Sequence, residues 1–96
     1  MENIFEVIDK TGRKIRLTRS QYVHVLRHKG IGQYLEEIKK TLEKPLKIVS
    51  HEEGNLYDYY TYFKHRKNSS KYLKVVVKYL NGEGFVLTAY FVKYIN

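Results

Sequence analysis

Apolar positions change their spacing twice along the chain, and the changes divide it into elements. Residues 3–8 and 13–17 are short apolar stretches around Asp9-Lys10-Thr11-Gly12, which predicts a hairpin with a glycine-containing turn. Thr18 or Ser20 can cap a helix running to about residue 29, and Gly30 and Gly32 break the chain before a second helix over 33–43. Leu35, Ile38 and Leu42 recur at i, i+3 and i+7 in that second helix, one buried stripe with Glu36, Glu37, Lys39 and Lys40 outside it. Pro45 ends it.

Beyond Pro45 the period becomes that of strands. Residues 46–49 form a short one, and 56–63 are rich in Tyr, Phe and Thr, with aromatic rings on both faces. The polar, basic run 65–71 reads as a loop. Residues 72–80 and 85–92 are the clearest strands, joined by Asn81-Gly82-Glu83-Gly84, which has hairpin chemistry. The fold class that follows is α+β: a short N-terminal hairpin and two helices packed on a three- to four-stranded antiparallel sheet. At 96 residues the chain supports one core, so 1–96 is a single domain.

Composition narrows the chemistry. The chain carries 18 Lys and Arg against 10 Asp and Glu, a net charge of +8, with the acids mostly within 36–58 and the end of the chain basic. That asymmetry favours a polyanion, most simply nucleic acid, although a merely solvated basic surface has the same composition. Ten tyrosines add rings that can stack on unpaired bases, unless they are half-buried strand residues. With no cysteine there is no disulfide framework, thiolate nucleophile or cysteine zinc site. No apolar run reaches the roughly 20 residues that cross a bilayer, and the first ten residues lack the pattern of a secretory leader, so the expectation is a cytoplasmic protein with no membrane partner. The patterns GxxxxGK[ST], GxGxxG and GxSxG are absent, Gly82 and Gly84 belong to a turn, and Glu52 and Glu53 read as solvated surface.

The stretch Gln21-Tyr22-Val23-His24-Val25-Leu26-Arg27-His28 holds two of the four histidines. On a helix, positions 24 and 28 lie about 40° apart on one face, with Tyr22 and Leu26 nearly opposite. If Tyr22 and Leu26 face the core, the histidines lie away from it. An exposed surface pair is one reading. A metal pair is another, since His-x3-His on a helix can hold zinc; the metalloprotease form needs Glu where Val25 stands, and a third ligand must come from His51, His65 or a remote carboxylate. The third is metal-free cleavage of RNA, which needs a base for the ribose 2′-OH, an acid for the leaving oxygen and cations on the phosphate. Arg27 and nearby basic residues supply the cations. A noncatalytic polymer-binding or protein-interaction module, with Tyr59, Tyr60, Tyr62, Arg66 and Lys67 as contacts, stands beside these.

In order along the chain come His24, His28, Pro45, the string Tyr57-Asp58-Tyr59-Tyr60, then Lys71-Tyr72-Leu73-Lys74-Val75-Val76-Val77 and Gly84-Phe85-Val86-Leu87-Thr88-Ala89-Tyr90-Phe91. This arrangement resembles the barnase/EndoU/colicin/RelE-like (BECR) nuclease superfamily, in its small phage-associated prokaryotic branch, over about residues 18–92. The resemblance implies N-terminal helices on an antiparallel sheet and a ribonuclease that works by 2′-OH transesterification without metal or other cofactor, often as a toxin or effector. It implies RNA, tRNA included, as substrate and an acidic antitoxin or inhibitor as partner. It matches His24 and His28 to the helical histidines, Thr88 and Tyr90 to polar positions of the last strand, and Lys74 to a strand cation. Arg27, Lys64, Arg66 and Lys67 then guide RNA. Tyr22 stands where relatives often have Trp, and Thr61 where an arginine follows the paired tyrosines, a place Lys64 or Arg66 can fill. Register sets one condition. Pairing across a two-residue Gly82-Glu83 turn puts Val77 opposite Thr88 and Val75 opposite Tyr90, so Lys74 shares their face only if the turn or strand carries an extra residue.

Overall fold

Strict alternation of buried and solvated side chains sets most elements of the structure, a computed structural model that describes residues 3–51 and 54–95. Glu52 and Glu53, read above as solvated surface, lie outside the described residues. Strands β1 (Asn3–Ile8) and β2 (Lys14–Thr18) form the expected N-terminal hairpin, with Phe5, Val7, Ile15 and Leu17 turned inward. Asp9 organises its turn. One carboxylate oxygen accepts hydrogen bonds from the backbone of Thr11 and Arg13 and from the Thr11 hydroxyl, while the other accepts the buried hydroxyls of Tyr59 and Tyr79. A local turn is thereby tied to the centre of the sheet.

Thr18 caps helix α1 (Arg19–Val25), its hydroxyl accepting the N–H of Gln21 at 3.2 Å. The helix stops at Val25, well short of residue 29: Val23 and Val25 are weak helix formers, and the chain passes through tight turns to Gly30 at φ 79°. A 3-10 turn (Ile31–Tyr34) leads into α2 (Leu35–Glu43), whose Ile38 and Leu42 are fully buried, as their spacing predicts. Then follow β3 (Lys47–Ser50), β4 (Leu56–Tyr62), β5 (Tyr72–Leu80) and β6 (Glu83–Val92).

The expected α+β layout, two helices packed on a three- to four-stranded antiparallel sheet, is overturned. Among the described residues six strands make one mixed sheet, in the order β1-β2-β6-β5-β4-β3, and the helices are only seven and nine residues long, so the chain is mainly β. The difference lies at one junction. Strands β3 to β6 are the predicted antiparallel meander, but the hairpin joins them, because β2 runs parallel to β6 through Ile15↔Gly84 and Arg16↔Phe85. Gly84 permits this approach: a Cβ there would lie 2.9 Å from Ile15 Cγ1 and from the Tyr79 ring. Arg16 closes the junction with a 2.7 Å hydrogen bond to Glu83.

The core lies between one sheet face and the helices. Leu73, Val75, Val77, Val86 and Ala89 meet Val25, Ile38 and Leu42, and the hydroxyls of Thr41 and Thr61 pair at 2.7 Å between α2 and β4. Because β2 pairs with β6 only at its start, the later part of β6 has an open edge, and α1 packs there, Gln21 Nε2 donating to the Leu87 carbonyl at 2.9 Å. Among the described residues no helix is long and apolar enough to cross a membrane.

Candidate active site

The face of the sheet turned away from α2 carries most of the chemistry. Its register starts at a two-residue turn of Asn81 and Gly82, both with positive φ, so that Leu80 pairs with Glu83 and Val77 with Val86. The turn is thus one residue earlier than Gly82-Glu83. Continued without interruption, this register would place Thr88 and Tyr90 toward the core. A bulge at Leu87 intervenes, after which Val76 faces Thr88, Val75 faces Ala89 and Lys74 faces Tyr90. The extra residue brings Lys74, Thr88 and Tyr90 to one face, which is the condition set by the alternation of side chains.

A continuous row of contacts crosses that face. The His28 ring stacks on Tyr90 at 4.8 Å and 26°. Lys74 Nζ lies 5.4 Å from the centre of the Tyr90 ring and 3.5 Å from Asp58 Oδ2, and the same oxygen is 2.8 Å from His51 Nε2. Lys74 and Asp58 are shielded, with side chains 14% and 4% exposed, whereas His28 and His51 are open to solvent. Burial pushes the Lys74 ammonium down, but the hydrogen bond with Tyr90 and the charge of Asp58 outweigh it and hold the group above its ordinary value. Lys74 is therefore a fixed cation, suited to an anionic ligand and not to giving up a proton. Asp58 Oδ1 is buried and has no hydrogen-bond partner among the described residues.

The other anticipated residues are placed less uniformly. His24 lies exposed on α1, but His28 stands beyond its end, in the turn where its N–H donates to the Val25 carbonyl at 3.2 Å. The two do not share a helix face. The inward residue of α1 is Val25, while Leu26, which an ideal helix sets nearly opposite the histidines, is 47% exposed, so the condition that its side faces the core is not met there. Arg27 is exposed beside His28, and Lys64 and Lys67 are exposed in the β4–β5 loop. Arg66 is already engaged: its guanidinium lies 3.7 Å over the Phe91 ring and donates to the Ser70 carbonyl at 2.5 Å, which fastens the loop to the sheet. Tyr59 is buried in the Asp9 network and does not present a ring to a ligand.

His51 and Asp58 are the functional candidates that sequence reasoning missed, His51 having been weighed only as a remote metal ligand. A signal existed in the lone carboxylate of the string Tyr57-Asp58-Tyr59-Tyr60, because an acid in an aromatic strand needs a partner if buried. Its partner follows only from the β3–β4 pairing, in which Val49 faces Asp58 and His51 donates its N–H to the Leu56 carbonyl. Among the described residues no three His, Asp or Glu side chains gather as metal ligands. Comparison with known protein families, with curated proteins and with solved structures finds no match to the chain.

Proposed function

We propose that the chain is a ribonuclease that cleaves RNA by 2′-OH transesterification without a metal ion, with the scissile phosphate seated over Lys74. The observation that carries this reading is the row His28–Tyr90–Lys74–Asp58–His51, which puts a permanent cation between two solvent-accessible imidazoles. Resemblance to the BECR nucleases and the net charge of +8 support it from separate directions.

Each group has work that suits its surroundings. Lys74 binds the non-bridging oxygens and stabilises the charge that grows on them in the transition state, with Thr88 and Tyr90 offering hydroxyls on the same face. His51 gives its Nε2–H to Asp58, which leaves a lone pair on Nδ1, the arrangement of a general base. That base takes the 2′-OH proton as the 2′-oxygen bonds to phosphorus. His28, protonated, gives a proton to the departing 5′-oxygen as the P–O bond breaks, leaving a 2′,3′-cyclic phosphate and a 5′-hydroxyl. Arg27, Lys64 and Lys67 guide the strand from the rim.

The test is cleavage of tRNA and of a mixed-sequence RNA in EDTA, comparing the parent with His28→Ala, His51→Ala and His24→Ala. Loss of turnover in the first two and retention in the third is expected. Loss in His24→Ala with retention in His51→Ala would make His24 the second proton carrier. Salt-sensitive binding with no cleavage by the parent would replace the reading with a noncatalytic RNA-binding module.

A further inference from the structure

A groove on the same face remains unused by the chemistry above. Tyr62 and Tyr72 face each other at the end of the β4–β5 ladder with ring centres 5.0 Å apart, and Val92 continues their row on β6. Tyr62 is 50% exposed, and Tyr94, just beyond β6, is 76% exposed. These three rings, with Lys71 and Lys93, line a groove of about 450 Å³ that has no Asp or Glu among the described residues of its wall. Lys71 is held in place by a hydrogen bond from its ammonium to the Arg66 carbonyl. The rings add little to the core, which is closed beneath them by Leu73 and Val75.

Position and charge together indicate an occupant. Tyr72 is two residues from Lys74 along β5, and Val92 two from Tyr90 along β6, a separation of roughly 7 Å on the same face. One nucleotide of an extended strand spans that distance. Flat rings flanked by ammonium groups match a planar base on an anionic backbone, and stacking of this kind needs a base whose face is free, not one inside a duplex.

We infer that this groove takes one unpaired nucleobase of the RNA, the neighbour of the nucleotide whose phosphate lies over Lys74, stacked among Tyr62, Tyr72 and Tyr94 with Lys71 and Lys93 on the adjoining phosphates. The inference deepens the ribonuclease reading and rests on it for the position relative to the cleaved bond. Filling of the groove needs no catalysis, so the two are tested apart.

The experiment is fluorescence anisotropy of the full chain with a 5′-labelled 2′-O-methyl RNA hexanucleotide, which has no free 2′-OH to react, and with the corresponding duplex. Tyr94→Ala and Tyr62→Leu are each expected to weaken single-strand binding about tenfold. Tyr94→Phe keeps the ring and is expected to bind within about twofold of the parent, while the duplex binds more weakly than the single strand. Tyr94 is exposed enough for its variants to fold, which a thermal melt verifies. Unchanged affinity in both Tyr94→Ala and Tyr62→Leu, equal binding of the duplex, or no binding of either probe would overturn the groove assignment. Ring-dependent binding by a protein that cleaves no RNA would leave it standing while the ribonuclease reading fell.

Discussion

Lys74 joins the two halves of the proposed site, because Asp58 and Tyr90 both hold its ammonium. Lys74→Ala is expected to lower kcat on RNA by about 10²-fold or more, since it removes a preorganised cation from the place where charge develops, and Lys74→Arg to restore part of it. Asp58→Asn keeps the shape but removes the charge. It should let the Lys74 pKa fall, read by NMR of the side-chain ammonium, and should lower kcat more than it raises KM, because His51 loses its orienting acceptor. Asp9 predicts a different pH effect. Burial pushes its carboxyl up, yet hydrogen bonds from Tyr59, Thr11, the Arg13 backbone and Tyr79 outweigh that and hold it below its usual value. A lowered folded pKa adds stability above the ordinary value of about 4 and loses it as pH falls through the lower folded one. Urea midpoints measured from pH 5 to pH 2 should therefore fall steeply in the parent and less steeply in Asp9→Asn.

Helices and strands differ in how far local pattern could reveal them. The stripe Leu35, Ile38, Leu42 and the alternation of 72–80 were legible because each states which side is buried. The parallel contact of β2 with β6 was not. It is two residue pairs long, and its only mark in the sequence is Gly84, which reads equally well as part of a turn. Gly84→Val tests that junction: the added side chain meets Ile15 and Tyr79, and a loss of about 1–3 kcal/mol by chemical denaturation is expected. The bulge at Leu87 was legible only as a condition, since the position of the extra residue depends on the turn, which alternation alone does not fix. The early end of α1 was hidden because the first clear stop in the sequence is Gly30, five residues past Val25, where the chain has already left the helix. At its start the helix follows its cap, and Thr18→Ala should cost about 1 kcal/mol.

Across the molecule, part of the charge expected to draw a polyanion lies by the open face: Lys71 and Lys93 line the groove, and Arg27 is exposed next to His28. The candidate site was half legible from this. The resemblance pointed to His24, His28, Lys74, Thr88 and Tyr90, of which His24 has no contact in the row among the described residues, whereas the Asp58–His51 contact needs the β3–β4 pairing, which brings together positions seven apart. If RNA crosses this face, log K should fall linearly with log salt, with a slope of about −2 for three phosphates contacted on a single strand. Lys67→Gln, away from the row, should reduce that slope without changing which bond is cut. A salt-independent interaction would point away from nucleic acid. The most direct measurement is end-group analysis of a 5′-labelled mixed-sequence RNA incubated in EDTA with the parent and with Lys74→Ala. The parent should yield fragments ending in 2′,3′-cyclic phosphate and the variant, shown by a thermal melt to be still folded at the assay temperature, almost none; equal cleavage by the two proteins, or none by the parent, would contradict a cleavage centre at Lys74.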